Sequence, residues 1–354
     1  MAKKIRVLIV DDSELIRVLL NEILSSDNGI EVVGLADDPY DARDKIKLLA
    51  PDVITLDIEM PRMDGITFLS NIMRLRPMPV VMISTLTQKG ADATMQALEL
   101  GAIDFVSKPT ADVQSKLHGL SAEIIAKVKN AAKANLVALE HCVNPPYIAQ
   151  APSISKGSKL GSRIKLIAIG ASTGGTEATK EVLGGLPENM PPIVVVQHMP
   201  AGFTASYARR LDKLIKLNVE EFHQPSQVLQ ANHVYIANGD LHMRIQQRAG
   251  ILKAFSEDGE PVNRHKPSVD VLFDSVAESC GEQALGVILT GMGIDGASGL
   301  GKMRASGALT VAQDEESSVV WGMPRVAVQQ GAAADVLALK DISRYLVKSS
   351  YSDS

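Results

Sequence analysis

The chain is poor in cysteine, has no apolar stretch long enough to cross a membrane, and carries no excess of positive charge. Its 354 residues include only two cysteines, Cys142 and Cys280, so a framework of disulfides is excluded. The N-terminal run Ile5 to Val10 is too short for the apolar core of a signal peptide. A net charge of −5 gives the chain as a whole no attraction for nucleic acid. We therefore expect a cytoplasmic protein that binds no nucleic acid and does not insert into a membrane.

What is present is typical of a globular protein with two cores. Hydrophobic residues make up 45% of the chain and charged residues 22%, and 354 residues suggest two domains. Residues 126–160 begin alanine-rich and helical and then become rich in proline and serine, which is typical of a linker. The predicted domains are residues 1–125 and 161–350. The histidines and cysteines form no His-x-x-x-His or Cys-x-x-Cys pair, which disfavours a zinc site.

The first half alternates short apolar runs with segments of helical periodicity. The predicted strands are Ile5–Val10, Ile30–Ala36, Val53–Asp57, Val80–Ser84 and Asp104–Val106. The predicted helices are Glu14–Leu24, Pro39–Leu49, Gly65–Leu75, Ala91–Leu100 and a long segment from Asp112 to about Ala138. Strands and helices that alternate at this spacing form βαβ crossovers, so we expect an α/β fold with a doubly wound parallel sheet.

Acidic residues stand at the carboxyl ends of the first and third strands. Asp11 and Asp12 follow the first strand and Asp57 ends the third, while Ser84 and Lys108 lie at the ends of the fourth and fifth. These ends meet at one edge of a parallel sheet. Three neighbouring carboxylates repel one another, and a cation with oxygen ligands, Mg²⁺ above all, would offset that repulsion. Three solvated acids at loop ends are the alternative.

These strand ends resemble a response-regulator receiver domain, which has a flavodoxin-like fold. The matching residues are Asp11-Asp12, Asp57-x-x-Met60-Pro61-x-Met63-Asp64-Gly65, Ser84-Thr85 and Lys108-Pro109. The resemblance implies that Asp57 accepts a phosphoryl group from a histidine kinase and that Ser84 and Lys108 contact this group. It implies that Mg²⁺ is bound by Asp12, Asp57 and the backbone carbonyl of Glu59, with Asp11 supporting the metal through water. Phe105 stands where the family often has a switching aromatic ring, and plain core packing is the alternative.

The second half opens on a serine flanked by glycines. Gly170-Ala171-Ser172-Thr173-Gly174-Gly175 follows the apolar run Leu166 to Ile169 and precedes a predicted helix. Such a strand-to-helix turn can present a hydroxyl group, but similar turns also bind phosphate or serve only to turn the chain.

Two further buried strands, Ile193–Val196 and Leu285–Leu289, are followed by His198 and Asp295. If all three strands are parallel, Ser172, His198 and Asp295 share one sheet edge. A serine needs a base to attack, a histidine is a base near neutral pH, and an aspartate can hold the imidazole tautomer. Backbone amides of the turn at residues 291–293 could bind an oxyanion. The three residues occur along the chain in the order serine, histidine, aspartate. In α/β-hydrolases the order is serine, aspartate, histidine, which argues against that fold here.

A polar and basic loop precedes the helix predicted to start at Val269. It reads Asn263-Arg264-His265-Lys266-Pro267-Ser268. His265 could contact an acidic substrate there. A capping loop with Ser268 as the helix N-cap is the alternative.

The second half as a whole resembles the methylesterase domain of the chemotaxis response regulators called CheB. The matching stretches are Gly170 to Gly175, Gln197-His198-Met199-Pro200, Pro267-Ser268-Val269-Asp270, Gly291-Met292-Gly293-Ile294-Asp295-Gly296 and Trp321-Gly322-Met323-Pro324-Arg325. The resemblance implies a Rossmann-like domain that hydrolyses glutamate methyl esters, and deamidates certain glutamines, on the cytoplasmic domains of methyl-accepting chemoreceptors.

The same resemblance assigns the individual residues. Ser172, His198 and Asp295 would form the triad, the main chain of Met292 would bind the oxyanion, and Thr173 would support the site. Mg²⁺ would serve phosphorylation, and ester hydrolysis would need no cofactor. Ile294 departs from the asparagine common at that position, which puts one supporting hydrogen bond in doubt.

Two other functions compete with a phosphorylation-activated hydrolase. One is a response regulator whose output domain only binds, as an adaptor or a DNA-binding regulator, but the second half shows no basic recognition helix. The other is a nucleotide-binding domain. Such a domain requires the spacing Gly-x-Gly-x-x-Gly, which the turn at Gly170–Gly175 does not have.

Overall fold

The structure is a computed structural model that describes residues 3–85, 87–109, 113–143 and 163–351. The chain divides into two compact units between Val143 and Asn144. Both are α/β, with a parallel sheet at the centre of each. Among the described residues, no helix combines the length and the apolar character needed to span a bilayer.

The first unit alternates strands with helices as predicted. Its elements are β1 (Ile5–Val10), α1 (Glu14–Ser25), β2 (Ile30–Ala36), α2 (Pro39–Leu49), β3 (Val53–Asp57), α3 (Gly65–Leu75), β4 (Val80–Thr85), α4 (Gln88–Glu99), β5 (Asp104–Lys108), α5 (Val113–Gly119), α6 (Ser121–Ala131) and α7 (Leu136–Val143). The strand order is β2-β1-β3-β4-β5, with every neighbouring pair parallel. The predicted doubly wound sheet is confirmed.

The long helix predicted from Asp112 to Ala138 is wrong in its continuity, because its described part forms three helices. The last begins where the Asn135 side chain accepts hydrogen bonds from the Val137 and Ala138 N–H groups, both at 3.1 Å. Such a cap favours a new helix start over continuation. The first compact unit continues to Val143, beyond the predicted domain boundary at residue 125.

Helix α6 belongs to the core of the first unit. Ile124, Val128 and Ala131 are fully buried, and Lys129 pairs with Asp27 on the loop after α1 at 2.6 Å. Burial of these apolar side chains holds the helix against the sheet. The beginning of the predicted linker is therefore packed structure, and its part from residue 144 to residue 160 lies outside the described residues.

The second unit has a longer sheet and a small additional one. Its elements are β6 (Leu166–Ala171), α8 (Gly175–Gly184), β7 (Ile193–Gln197), α9 (Phe203–Leu214), β8 (Asn218–Phe222), β9 (Ser226–Val228), β10 (His233–Ala237), β11 (His242–Arg248), β12 (Ile251–Glu257), α10 (Val269–Cys280), a 3-10 turn (Gly281–Gln283), β13 (Ala284–Ile288), α11 (Ala297–Ala305), β14 (Leu309–Gln313), α12 (Met323–Gln329), β15 (Asp335–Leu337) and α13 (Leu339–Ser350). The large sheet has the order β15-β14-β13-β6-β7-β10-β8 and is parallel throughout. Strands β11, β12 and β9 form an antiparallel sheet.

The order of the large sheet fixes where a site can form. Strand β6 lies between β13 and β7, and the connections after β6 and β13 leave in opposite directions along the sheet. This arrangement opens a crevice at the carboxyl ends of β6 and β13, the usual ligand position in open α/β sheets. Ser172 follows β6 directly, and the segment from Leu289 to Gly296 follows β13.

Candidate functional site in the second unit and acidic site in the first

The Ser172 turn is held by backbone hydrogen bonds on both sides. Its N–H donates to Thr290 O at 3.1 Å, and its carbonyl accepts from Gly175 N–H at 2.7 Å and from Gln197 Nε2 at 2.8 Å. A Cβ atom on Gly291 would lie 2.7 Å from Ser172 Cβ, so only glycine permits this close approach. The turn therefore presents a half-buried serine in one defined position.

His198 lies beside this serine because β6 and β7 are paired. Ala171 is the register partner of Gln197, so the next residue of each strand, Ser172 and His198, occupies the same sheet edge. His198 Nε2 lies 2.8 Å from Asp295 Oδ2. Its Nδ1 is buried and has no hydrogen-bond partner among the residues that the structure describes. No hydrogen bond joins the described Ser172 hydroxyl to this ring, and such bonds often tighten only once substrate is bound.

Asp295 is almost fully buried and is surrounded by donors. Besides His198, its carboxylate accepts from the Ser268 hydroxyl at 2.8 Å and the Val269 N–H at 2.7 Å, where helix α10 begins. Burial alone would raise its pKa, but hydrogen bonds and charge from His198, then Asn263 and the Val269 N–H, hold the pKa of Asp295 well below its usual range. An aspartate in this setting stays ionised and can stabilise an imidazolium ion.

The turn after β13 leaves the Met292 backbone amide available. The Gly291 carbonyl accepts from Met323 N–H at 2.7 Å and from Gly322 N–H at 3.1 Å. Because a trans peptide unit is planar, the Met292 N–H of the same unit points away from this segment. Within the described residues, this N–H has no hydrogen-bond acceptor. Met292 is 39% exposed, so the turn borders solvent.

Thr173 and Ile294 complete the predicted set in this unit. Thr173 is buried, and its carbonyl accepts from the Thr290 hydroxyl at 3.0 Å, which joins the serine turn to the end of β13. Ile294 is 58% exposed, and its hydrocarbon side chain cannot form the hydrogen bond that an asparagine at this position could make.

Sequence reasoning missed two contacts of the candidate triad. Asn263 Nδ2 donates to Asp295 Oδ1 at 2.8 Å, and the His265 ring stacks on the His198 ring with centroids 3.7 Å apart and 7° between planes. The sequence signal for these contacts was the polar loop at residues 263–268. From the sequence, that loop was interpreted only as a helix cap or as a substrate contact. Ser268 is the N-cap of α10, which confirms that part of the interpretation. Gln197 was also missed, although it precedes His198 in a quoted motif.

A second cluster lies at the edge of the sheet in the first unit. Ligand oxygens of Asp11, Asp12 and Asp57 lie within 4.8 Å of one another, and Lys108 Nζ is 2.7 Å from Asp11 Oδ2 and 2.8 Å from Asp57 Oδ2. Burial, together with the charge of Asp11 and against that of Lys108, raises the pKa of Asp57 to about 6. Three carboxylates with one ammonium leave excess negative charge. An all-oxygen donor set with this charge fits a hard divalent cation such as Mg²⁺.

The remaining predicted residues of this cluster are placed less directly. Ser84 is buried, and its hydroxyl contacts Gly90 O at 3.2 Å and Thr94 Oγ1 at 2.7 Å rather than the carboxylates. Glu59 is exposed on the loop two residues after Asp57. Phe105 is 4% exposed and packs in the core.

Comparison with known proteins assigns both units. The family model for CheB methylesterase matches residues 167–346, and the model for the response regulator receiver domain matches residues 7–118. A protein of Vibrio vulnificus named protein-glutamate methylesterase/protein-glutamine glutaminase 2 is 52% identical over 346 residues, covering 98% of each chain. A protein of Xanthomonas campestris pv. campestris, named protein-glutamate methylesterase/protein-glutamine glutaminase 1, is also 52% identical, over 97% of this chain and 96% of its own.

Among solved structures, the catalytic domain of Thermotoga maritima CheB methylesterase is 39% identical, with a TM-score of 0.51. The match covers 52% of this chain and 98% of that domain. With a receiver domain ahead of a methylesterase domain and with relatives similar over nearly their whole length, the chain belongs to the CheB methylesterase family.

Proposed function

We propose that this chain is a phosphorylation-activated serine hydrolase that removes methyl esters from glutamate residues of chemoreceptor cytoplasmic domains. It also deamidates specific receptor glutamines. The observation that carries the proposal is the His198–Asp295 pair, whose second ring nitrogen is unpartnered beside the strand end that presents Ser172.

The chemistry follows from these groups. The Ser172 oxygen attacks the ester carbonyl while His198 Nδ1 takes the hydroxyl proton, and Asp295 stabilises the resulting imidazolium ion. The imidazolium then gives this proton to the leaving methoxy group, so methanol departs and an acyl-serine remains. Water attacks the acyl-serine by the same route and releases glutamate. With a glutamine substrate the leaving group is ammonia.

Two further residues complete the proposed site. The available Met292 N–H is our candidate donor to the developing oxyanion, in the manner of other acyl-transfer sites. Thr173 would support the site, because its carbonyl ties the serine turn to Thr290 at the end of β13.

The first unit would receive the regulatory signal. Asp57 is our proposed phosphoryl acceptor from a histidine kinase, and Lys108 would neutralise the transferred group. Asp12, Asp57 and the Glu59 carbonyl would hold Mg²⁺, with Asp11 supporting it. The bound cation would neutralise phosphoryl oxygens. Ser84 would contact the phosphoryl group, which requires its hydroxyl to leave Thr94 or Gly90.

Replacement of the nucleophile tests the catalytic proposal. In Ser172→Ala we expect methanol release from methylated receptor to fall by about 10⁴-fold or more, since a triad without its nucleophile retains little activity. Ser256→Ala is the matched control, because Ser256 lies on β12 of the antiparallel sheet and its hydroxyl donates to Gln224 O rather than to a residue of the candidate triad. Retained activity in Ser172→Ala would overturn the serine assignment. If the output domain only binds, neither the unmodified chain nor Ser172→Ala would release methanol.

Phosphorylation is tested with a small-molecule phosphoryl donor and Mg²⁺. The donor should raise the rate of methanol release by the full chain and leave Asp57→Asn unchanged. Asp44→Asn is the control, because Asp44 is an exposed residue of α2 paired with Arg43. Equal activation of Asp57→Asn would refute Asp57 as the acceptor.

A further inference from the structure

A two-residue turn in the second unit contacts both partners of the His198–Asp295 pair. Val262 and His265 exchange backbone hydrogen bonds of 3.0 and 2.9 Å across Asn263 and Arg264. Both central residues have positive φ, 52° and 71°. Positive φ at both positions is the mark of a type I′ turn, where asparagine is favoured and arginine is strained. This hairpin, residues Val262–His265, is called the clamp turn below.

The first contact is made by the amide of Asn263. Its Nδ2 donates to Asp295 Oδ1 at 2.8 Å and to Asp270 Oδ2 at 2.7 Å. Asp270 is held in turn by the Gly299 N–H at 2.6 Å. The amide thus ties one oxygen of Asp295 to a second carboxylate, which leaves the other oxygen, Oδ2, directed at His198 Nε2.

The second contact is the stack of two imidazole rings. His265 lies parallel to His198 at a centroid distance of 3.7 Å, so it covers one face of the proposed base. A ring at van der Waals distance restricts rotation of His198 about its Cβ–Cγ bond. It also presents a π-face to the imidazolium ion that forms when Nδ1 takes a proton.

We propose that the clamp turn positions the catalytic pair, Asn263 by orienting the Asp295 carboxylate and His265 by fixing the plane of the His198 ring. This inference rests on the proposed function. Both residues act through others, so they are positioning residues, and neither needs to touch the ester.

The charge state of His265 then matters for activity. A neutral His265 ring favours a cationic His198, whereas a protonated His265 repels it. The ionisable groups around the clamp turn are the Asp295 and Asp270 carboxylates, the Arg264 guanidinium and the Lys266–Asp258 ion pair at 3.0 Å. His242 lies behind the loop, accepting from Ser268 N–H at 3.2 Å with one ring nitrogen and contacting Glu260 O with the other.

Two substitutions at His265 test the stack on His198. His265→Ala removes the stack, and we expect kcat in the phosphorylated full chain to fall by about 10- to 100-fold with KM little changed, as for a misplaced catalytic group. His265→Phe keeps a ring on His198 and should retain most of kcat.

The matched control is His233→Phe. His233 also pairs with an aromatic ring, that of Tyr235 at 6.0 Å, but it begins β10 and so lies at the opposite edge of the sheet. Its kcat and pH profile should equal those of the unmodified protein. Asn263→Ala provides an independent variant, with an expected loss of kcat similar to that of His265→Ala. Fluorescence of Trp321, the only tryptophan, shows whether each variant is folded.

The outcomes are separable. If folded His265→Ala and Asn263→Ala both keep the kcat and the pH profile of the unmodified protein, the clamp turn has no positioning role. If Ser172→Ala retains activity, the proposed function itself fails, whatever the clamp variants show. A loss of kcat in His265→Ala, with KM little changed, that His265→Phe restores supports the inference.

Discussion

His198 is joined to Asp295 through Nε2, at 2.8 Å, which leaves Nδ1 as the only ring nitrogen able to accept a proton from serine. In the neutral ring this geometry requires the proton on Nε2, where it is donated to the carboxylate. Nδ1, which has no hydrogen-bond partner within the described part of the chain, then carries the lone pair. Asp295 therefore selects the tautomer that can act as a base.

Asp295→Asn tests this selection. An asparagine amide can donate to Nε2, which would move the ring proton to Nδ1 and abolish the base. We expect kcat for methanol release to fall by about 10⁴-fold, as in other triads whose aspartate is replaced by asparagine. Asp274→Asn is the control. Asp274 lies within helix α10 and pairs with Lys302 at 2.6 Å, so its replacement should leave kcat unchanged. A loss below tenfold in Asp295→Asn would contradict the role.

The depressed pKa of Asp295 predicts how stability depends on pH. Its folded pKa lies below its unfolded value of about 3.9, so its ionised form stabilises the fold above that pH and the contribution is lost as pH falls through the folded pKa. The difference in free energy of unfolding between the unmodified chain and Asp295→Asn should shrink as the pH falls below about 4. Trp321 fluorescence follows unfolding of the second unit alone, because it is the only tryptophan. A difference that stays constant to pH 3 would refute the depressed pKa.

Gly291 should tolerate no side chain. A Cβ atom there would lie 2.5 Å from Met323 Sδ and 2.7 Å from Ser172 Cβ, so Gly291→Ala must displace the serine turn. We expect a loss of activity of about 100-fold, the order that a shift of the reacting group by 1 Å can cost. Gly301→Ala is the control. Gly301 lies inside helix α11, and the nearest atom to an added Cβ would be the Ala332 Cβ at 3.7 Å, an ordinary contact.

The control should in fact gain stability. Alanine is favoured over glycine inside a helix by about 1 kcal/mol, so Gly301→Ala should unfold at slightly higher denaturant concentration with unchanged activity. Equal activities of the two variants would mean that Ser172 does not depend on Gly291.

Cys280 should be an inert thiol in the folded protein. Burial raises its pKa to about 12, against a smaller lowering by Lys165, so almost none is present as the reactive thiolate at pH 8. In Cys142→Ser, where Cys280 is the remaining cysteine, an aromatic disulfide reagent should react slowly until denaturant is added. Rapid labelling of this variant under native conditions would show that Cys280 is accessible.

Most of the fold followed from local patterns. The strand Val53–Asp57 and the helix Pro39–Leu49 have the bounds that hydrophobic periodicity and helix signals predicted. The helical segment after residue 112 did not, because the Asn135 cap starts a new helix within it. Caps and long-range packing are not expressed in periodicity.

The candidate site, like the fold, could be predicted from the sequence only in part. The sequence by itself determined that Ser172, His198 and Asp295 follow strands of one parallel sheet, because alternating strands and helices leave little freedom in where strand ends meet. Only the tertiary structure decided which ring nitrogen faces Asp295, and that Asn263 and His265 close on the same pair. Those contacts join residues far apart in the chain at hydrogen-bonding distance, where ångström-scale packing and not residue type sets the geometry.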